Sequence, residues 1–394
     1  MCENFVPYHR PSIGQEEMEA VRLVLESGWL TTGPVAQRFE REFAEFVGAK
    51  YALAVNSCTA ALHLALDAAG IGRGDEVLVP SYTFTATAEV VTYLGARPVL
   101  CDCLPGEFNI DPSDAERRIT ERTKAIIPVH IAGQPCNLGQ LQKIAHRHRL
   151  HLIEDAAHAL PASYAGKQIG SISELTAFSF YSTKTITTAE GGMLTTDNEE
   201  YARRAALMRL HGISGDAWKR YSAEGSWYYE VVDAGYKNNM PDLLAALGLA
   251  QLRKARDFHR RRYEIADRYL EAFAEVSELQ LPPQTDDHAS HSWHLFILRL
   301  ASDQLNIGRN AFVEKLKKMG IGTSVHFIPL HLHPFYRQRY GYAPGDLPQA
   351  EDAYARCLSL PIFPDMTDAE IEKVINSVVA IAEQNRAHVF AGAA

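Results

Sequence analysis

Apolar positions along the chain keep two rhythms. Ser12 followed by Gln15 has the spacing of a capping box, and Met18, Val21 and Leu25 then recur at helical intervals, with Gly28 placed to cap the end. The loop WLTTGP leads to a second predicted helix from about Val35 to Phe46. Short β-rich runs follow: YALAV (51–55), EVLVP (76–80), RPVLCD (97–102), KAIIPVH (124–130) and HLIED (151–155). Helical stretches such as TAALHLALDAAG and TFTATAEVVTYLG stand between them. Nearly continuous apolar strands alternating with helices predict an α/β fold with a mostly parallel sheet covered on both faces. In such sheets a ligand sits beyond the carboxyl ends of the strands.

From about Asp242 a helical pattern runs to about Ala274, rich first in Leu and Ala and then in Arg. After the turn LPPQTDDH the pattern changes. HSWHLFILRL reads as a strand, NAFVEKLKKMG as a helix and GTSVHF as another strand, which predicts a smaller α+β unit. A chain of 394 residues exceeds what one core usually serves. We expect an N-terminal arm over 1–11, a large domain over 12–245 and a small C-terminal domain over 246–394, with the tail AHVFAGAA frayed.

Composition narrows the function. Hydrophobic residues make up 46% and charged residues 22%, as in ordinary globular proteins. The net charge of −9 argues against nucleic acid as a partner, because phosphate contacts call for a basic face. No charged segment followed by an apolar one marks a signal peptide, and no uncharged run is long enough to span a bilayer, so no membrane partner is expected and the expected location is the cytoplasm. Cysteines at 2, 58, 101, 103, 136 and 357 form no CxxC pair and read as small core residues without disulfides. His326, His331 and His333 lack an accompanying carboxylate or thiol cluster, so they read as a pocket-lining loop and no metal is expected.

The chemistry concentrates in IEDAAHALPASYAGKQIGSISELTAFSFYSTKTITTAEGGMLTT. Asp155 and His158 end one apparent strand. Lys184 follows another, surrounded by small and hydroxyl residues rather than charges, just before the pair Gly191–Gly192. NSCTAALH follows a strand and opens a helix, a geometry that favours anions through free N–H groups and the helix dipole. These segments, with SGWLTTGP, TKAIIPVHIAG, GYKNNMPD, WHLFILR and SLPIFPDMT, resemble the DegT–StrS nucleotide-sugar aminotransferases of pyridoxal-phosphate (PLP) fold type I. The resemblance covers nearly the whole chain and is strongest to sugar 4-aminotransferases of the UDP-4-amino-4-deoxy-L-arabinose type.

What the resemblance implies is specific. The fold would be a large α/β/α sheet domain with a smaller C-terminal α+β domain. Lys184 would form the imine with the cofactor aldehyde. Asp155 would keep the pyridine nitrogen protonated and His158 would lie near the phenolate oxygen. Ser57, Cys58, Thr59 and Ser179 would hold the phosphate, and Phe84 would stack on the ring. Lys237 and Asn239 would reach a neighbouring subunit's site in a homodimer. Asn238 departs from the aromatic usual in relatives. Trp29, Thr31, Thr32 and His326 would meet the nucleotide-sugar. The implied reaction moves an amino group from L-glutamate to a 4-keto sugar nucleotide. The alternatives are a 3-keto sugar nucleotide and a regulatory relative without turnover. A PLP-dependent sugar dehydratase is disfavoured, because those relatives carry histidine in place of Lys184.

Overall fold

Helix α1 (Gln15–Ser27) opens at Gly14, whose N–H donates to Glu17 Oε2 at 2.7 Å. The expected Ser12–Gln15 box does not form: the helix begins two residues later, with Gly14 at the N-cap and Glu17 as its N3 partner, and the Ser12 carbonyl accepts from Gln251 Nε2 (2.9 Å). The computed structural model describes residues 5–214, 228–283 and 288–387. The apolar stripe of α1 does not face its own core. Glu17 and Val24 are the buried positions, while Met18 and Leu25 are 56% and 55% exposed. With Pro11, Ile13, Ala189 and Leu247 they form an open apolar groove of about 530 Å³. Helix α2 (Pro34–Val47) has no capping side chain of its own. The carboxylate of Asp242 accepts from the N–H groups of Gly33, Val35 and Ala36 at 2.7, 3.1 and 2.9 Å and does that work from a distance in sequence.

Strands and helices then alternate: β1 (Tyr51–Val55), α3 (Cys58–Ala68), β2 (Glu76–Pro80), α4 (Ala86–Tyr93), β3 (Arg97–Cys101), α5 (Pro112–Arg117), β4 (Thr123–Ile126), α6 (Leu138–His148) and β5 (His151–Asp155). A short hairpin, β6 (Ser163–Tyr164) and β7 (Lys167–Gln168), precedes β8 (Leu175–Ser179), β9 (Gly192–Thr196) and α7 (Glu199–Met208). The large sheet has the order β1-β9-β8-β5-β4-β2-β3. Its strands are parallel except β9, which runs against both neighbours. The expected strand over 124–130 stops at Ile126. Pro128 has no N–H to donate, and beyond it Val129 keeps a single bridge to Asp155.

Helix α8 (Asp242–Phe273) leads into β10 (Leu279–Gln280), β11 (Ala289–Ser290), β12 (Phe296–Leu300), α9 (Arg309–Lys318), α10 (Pro334–Tyr340), α11 (Pro348–Arg356), β13 (Cys357–Leu360) and α12 (Asp368–Gln384). Strands β10, β12 and β13 form a small antiparallel sheet, and β11 joins the β6–β7 hairpin. HSWHLFILRL pairs only from Phe296 on. Its first half is taken by the loop after β4: Ser292 and Leu295 donate to the carbonyls of Gly133 (3.0 Å) and Ala132 (3.2 Å). GTSVHF is not a strand either. It touches β13 through one bridge, Ser324–Ser359, then leaves the sheet.

The split expected at 245/246 falls inside the first turn of α8. Ala245, Leu249, Leu252, Ala255 and Phe258 pack with α2 and the large sheet. Ile265, Ala266, Tyr269 and Phe273 belong to a separate core with β12, β13, α9 and α12. Val6 joins that second core and pairs with Ile321. Cys101, Cys103, Cys136 and Cys357 are buried free thiols. Cys58 is not core, as described below. Cys2 and the tail from 388 on, including its expected fraying, lie outside the described residues.

Candidate active site

The carboxyl ends of β1, β2, β5 and β8 converge on one cavity of about 320 Å³. Ser57, Cys58 and Thr59 enter it from the start of α3, and Phe84 and Thr87 from the turn after β2. Asp155 and His158 come from the end of β5, and Ser179 and Lys184 from the end of β8 and the loop beyond. His294, His326 and Phe327 close it from the C-terminal half. The sequence segments that fail to form regular strands, at 291–295 and 325–327, are therefore the ones that wall the cavity.

The phosphate-like corner is set by close packing. Ser57 caps α3, its Oγ accepting from Ala60 N–H at 3.1 Å. The first N–H groups of the helix have no partner within the helix and face outward. A Cβ on Gly192 would come within 2.5 Å of the Ser57 carbonyl carbon and 2.6 Å of Cys58 N. Strand β9 passes that close to the loop, so only glycine fits there. Gly191 is similarly confined, with Met240 Cε 2.7 Å from where its Cβ would stand.

Charge in the cavity is sparse. Burial lowers Lys184 from the usual lysine value to about 8, against the opposing pull of Cys58 and Asp155. Burial raises the carboxyl of Asp155, although hydrogen bonds from Thr87 Oγ1 to Oδ2 (2.8 Å) and from Ala157 N–H to Oδ1 (3.1 Å) work against it. His158 Nδ1 accepts from Ala132 N–H at 3.2 Å, which leaves Nε2 as a donor. Burial, and then the neighbouring Lys184, hold His158 well below the ordinary histidine value, and the same two causes bring His326 to about 4. Burial holds His294 down as well. These imidazoles are neutral near pH 7.

Five expected site residues lie elsewhere in the single chain. Lys237 is exposed, and its carbonyl accepts from Asn56 Nδ2 at 3.1 Å. Asn239 Nδ2 donates to Thr32 Oγ1 (2.6 Å), which donates to the Met240 carbonyl (2.6 Å). Trp29 Nε1 donates to the Thr32 carbonyl at 3.3 Å, and the Thr31 carbonyl accepts from Asp242 N–H at 3.1 Å. Trp29, Thr31, Thr32 and Asn239 form a cluster around the junction of α2 and α8, while Lys237 lies beside Asn56 past the end of β1. His331 also turns away from the cavity, bonded to Ser81 Oγ (2.7 Å) and Glu351 Oε1 (2.9 Å).

Residues 11–379 match the DegT/DnrJ/EryC1/StrS aminotransferase family. The chain belongs to this family. It is 50% identical over 376 residues to the spore coat polysaccharide biosynthesis protein SpsC of Bacillus subtilis, spanning 95% of this chain and 96% of that one. A Streptococcus pneumoniae protein assigned as a sugar aminotransferase, solved in PMP and PLP forms, is 34% identical; its PMP form superposes with a TM-score of 0.91 over 96% of this chain and 99% of that chain. PseC of Helicobacter pylori, an aminotransferase involved in pseudoaminic acid biosynthesis, is 31% identical with a TM-score of 0.89, covering 97% of this chain and all of that one.

DegT/DnrJ/EryC1/StrS aminotransferases use PLP, and the donor set of the cavity suits that group. Lys184 offers an amine already partly deprotonated at neutral pH. The buried, raised carboxyl of Asp155 gains from a cationic neighbour. The start of α3 and the hydroxyls of Thr59 and Ser179 suit a phosphate. Phe84 presents an aromatic face that is 59% exposed. Sequence reasoning missed Thr87, His294 and Phe327 among the cavity residues. Thr87 read as part of a helix start, and the other two sat in runs that read as strands.

Proposed function

We propose that this aminotransferase moves the amino group of L-glutamate to a nucleotide-linked 4-keto sugar, giving a 4-amino sugar nucleotide and 2-oxoglutarate, in the cytoplasm and as a homodimer. The observation that carries the reading is the convergence of Lys184, Asp155 and the open N-terminus of α3 on one cavity. The sugar is supported by the relatives, which are named for polysaccharide and amino-sugar biosynthesis.

PLP, when bound, supplies an aldehyde that captures amines and a ring that withdraws electrons. Lys184 Nζ would hold the aldehyde and, when freed by a substrate amine, would be the base that carries the proton of the donor's α-carbon. Asp155 holds the proton on the ring nitrogen. Ser57, Cys58, Thr59 and Ser179 would hold the phosphate through N–H and hydroxyl groups, Phe84 would cover one ring face, and His158 would offer its Nε2 proton to the phenolate oxygen. His326 meets the sugar. The same lysine serves both half-reactions, so ping-pong kinetics follow.

Trp29, Thr31, Thr32, Lys237 and Asn239 serve the partner's cavity in this reading. The apolar groove along α1 supports a dimer, because an exposed patch of that kind marks an interface.

A single-turnover panel tests the proposal. The PLP-loaded protein is treated with L-glutamate, freed of it, and mixed with UDP-, dTDP- and GDP-linked 4-keto and 3-keto sugars. Return of the visible absorbance with a 4-keto sugar is expected. Return with 3-keto sugars alone overturns the position of transfer, and no return with any overturns the sugar substrate.

A further inference from the structure

The turn after β2 carries two features that face the cavity. Phe84 forms one wall, and Thr87, the second residue of α4, reaches back to Asp155. Thr87 Oγ1 has two acceptors in range, Asp155 Oδ2 at 2.8 Å and the Phe84 carbonyl at 3.2 Å. A hydroxyl has one proton, and an ionised carboxylate at the shorter distance is the stronger acceptor. Thr83 Oγ1 lies 3.0 Å from Thr87 Oγ1 and can donate to it while Thr87 donates onward. The two hydroxyls make a short chain that ends on the carboxylate. Thr83, Thr87 and Asp155 are all buried.

Helix capping does not account for this arrangement. Thr85 is the N-cap of α4, and its hydroxyl is spent on Glu89 at 2.8 Å. The Thr87 hydroxyl caps nothing. The other groups facing Asp155 are the Ala157 N–H at 3.1 Å, the Cys58 thiol at 3.9 Å from the start of α3, Lys184 from the loop after β8, and His130 from the loop after β4. Burial keeps the thiol neutral, and 3.9 Å is a long approach for so weak a donor.

We infer that Thr87, backed by Thr83, is a positioning residue for Asp155: its hydroxyl aims the carboxylate so that a protonated ring nitrogen is held beside it. The inference rests on the PLP reading above. The variants are Thr87→Val, which keeps the shape and removes the donor, and Thr87→Ser, which restores it. PLP dissociation is measured by equilibrium dialysis, and the pH midpoint of the visible band by titration of the holoprotein.

Thr87→Val is expected to raise the dissociation constant about tenfold, the effect of one hydrogen bond to a charged group. The midpoint is expected to move to higher pH, because a ring charge held less firmly repels the neighbouring proton less. Thr87→Ser stays within about twofold of the parent protein on the same scale. If Thr87→Val does not fold, Thr87→Ala carries the same expectations. Unchanged affinity and midpoint in the hydroxyl-free variant overturn the inference. Equal losses in the Val and Ser variants overturn it too, since packing would then be the cause. A parent protein that binds no PLP and has no visible band removes the underlying reading, and this one with it.

Discussion

At the scale of single residues, the cavity replaces water with protein around groups that ordinarily titrate far from neutrality. Lys184 is the sharpest case. With its pKa lowered to about 8, it is protonated and non-nucleophilic well below that pH and free above it. The rate of PLP capture by the apoprotein should therefore rise about tenfold per pH unit up to about 8 and then level off. An ordinary lysine would climb until pH 10 or beyond. Stopped-flow absorbance across pH 6 to 10 decides between the two curves. Lys184 stood out in the sequence because small and hydroxyl residues surround it, and Asp155 because its segment resembles that of the family. Thr87 did not, since inside TFTATAEVVTYLG it reads only as part of a helix start. Nothing in the linear order says that its hydroxyl reaches a strand end 68 residues away. His294 was hidden for a related reason, as a histidine inside an apolar run reads as core.

At the scale of elements, the strand–helix rhythm was readable because apolar runs in a sheet buried on both faces leave little ambiguity. Strand ends were less readable. KAIIPVH stops early at a proline, and HSWHLFILRL starts late because a neighbouring loop takes its first hydrogen bonds. Those competing partners lie far off in sequence, where periodicity carries no information. The glycine pair at the start of β9 was visible, but its cause was not: β9 passes so close to the start of α3 that a methyl group on Gly192 has no room. Gly192→Ala should cost about 1–3 kcal/mol as the loop at Ser57–Cys58 is pushed outward, and should weaken PLP binding more than it lowers the melting temperature. Thermal denaturation of the apoprotein beside equilibrium dialysis separates these effects. A loss of stability with unchanged PLP affinity would show that the loop does not hold the phosphate.

At the scale of the whole molecule, the single chain leaves five expected binding residues away from its own cavity and an apolar groove open to solvent. A two-fold dimer reconciles both, because each subunit would lend its outlying cluster to the other's cavity. Lys184→Ala and a Lys237→Ala/Asn239→Ala variant should each be strongly impaired alone. Denatured together and refolded, they should regain about a quarter of parental activity, since half the dimers then hold one intact site of two. No recovery would place the Lys237–Asn239 cluster outside the partner's site.

Helix α8 gives this architecture a direction in time. Its first half completes the core under the large sheet, and its second half completes the core around the small one. A ribosome releases the chain from the N-terminus, so all seven strands of the large sheet emerge before Leu249, Leu252 and Phe258 arrive to cover one face. Val6 waits longer still, until Ile321 is made. The nascent chain therefore carries a nearly finished sheet whose α2 and α6 side is only partly covered for as long as the ribosome needs to reach α8, the interval in which a growing protein most needs a chaperone.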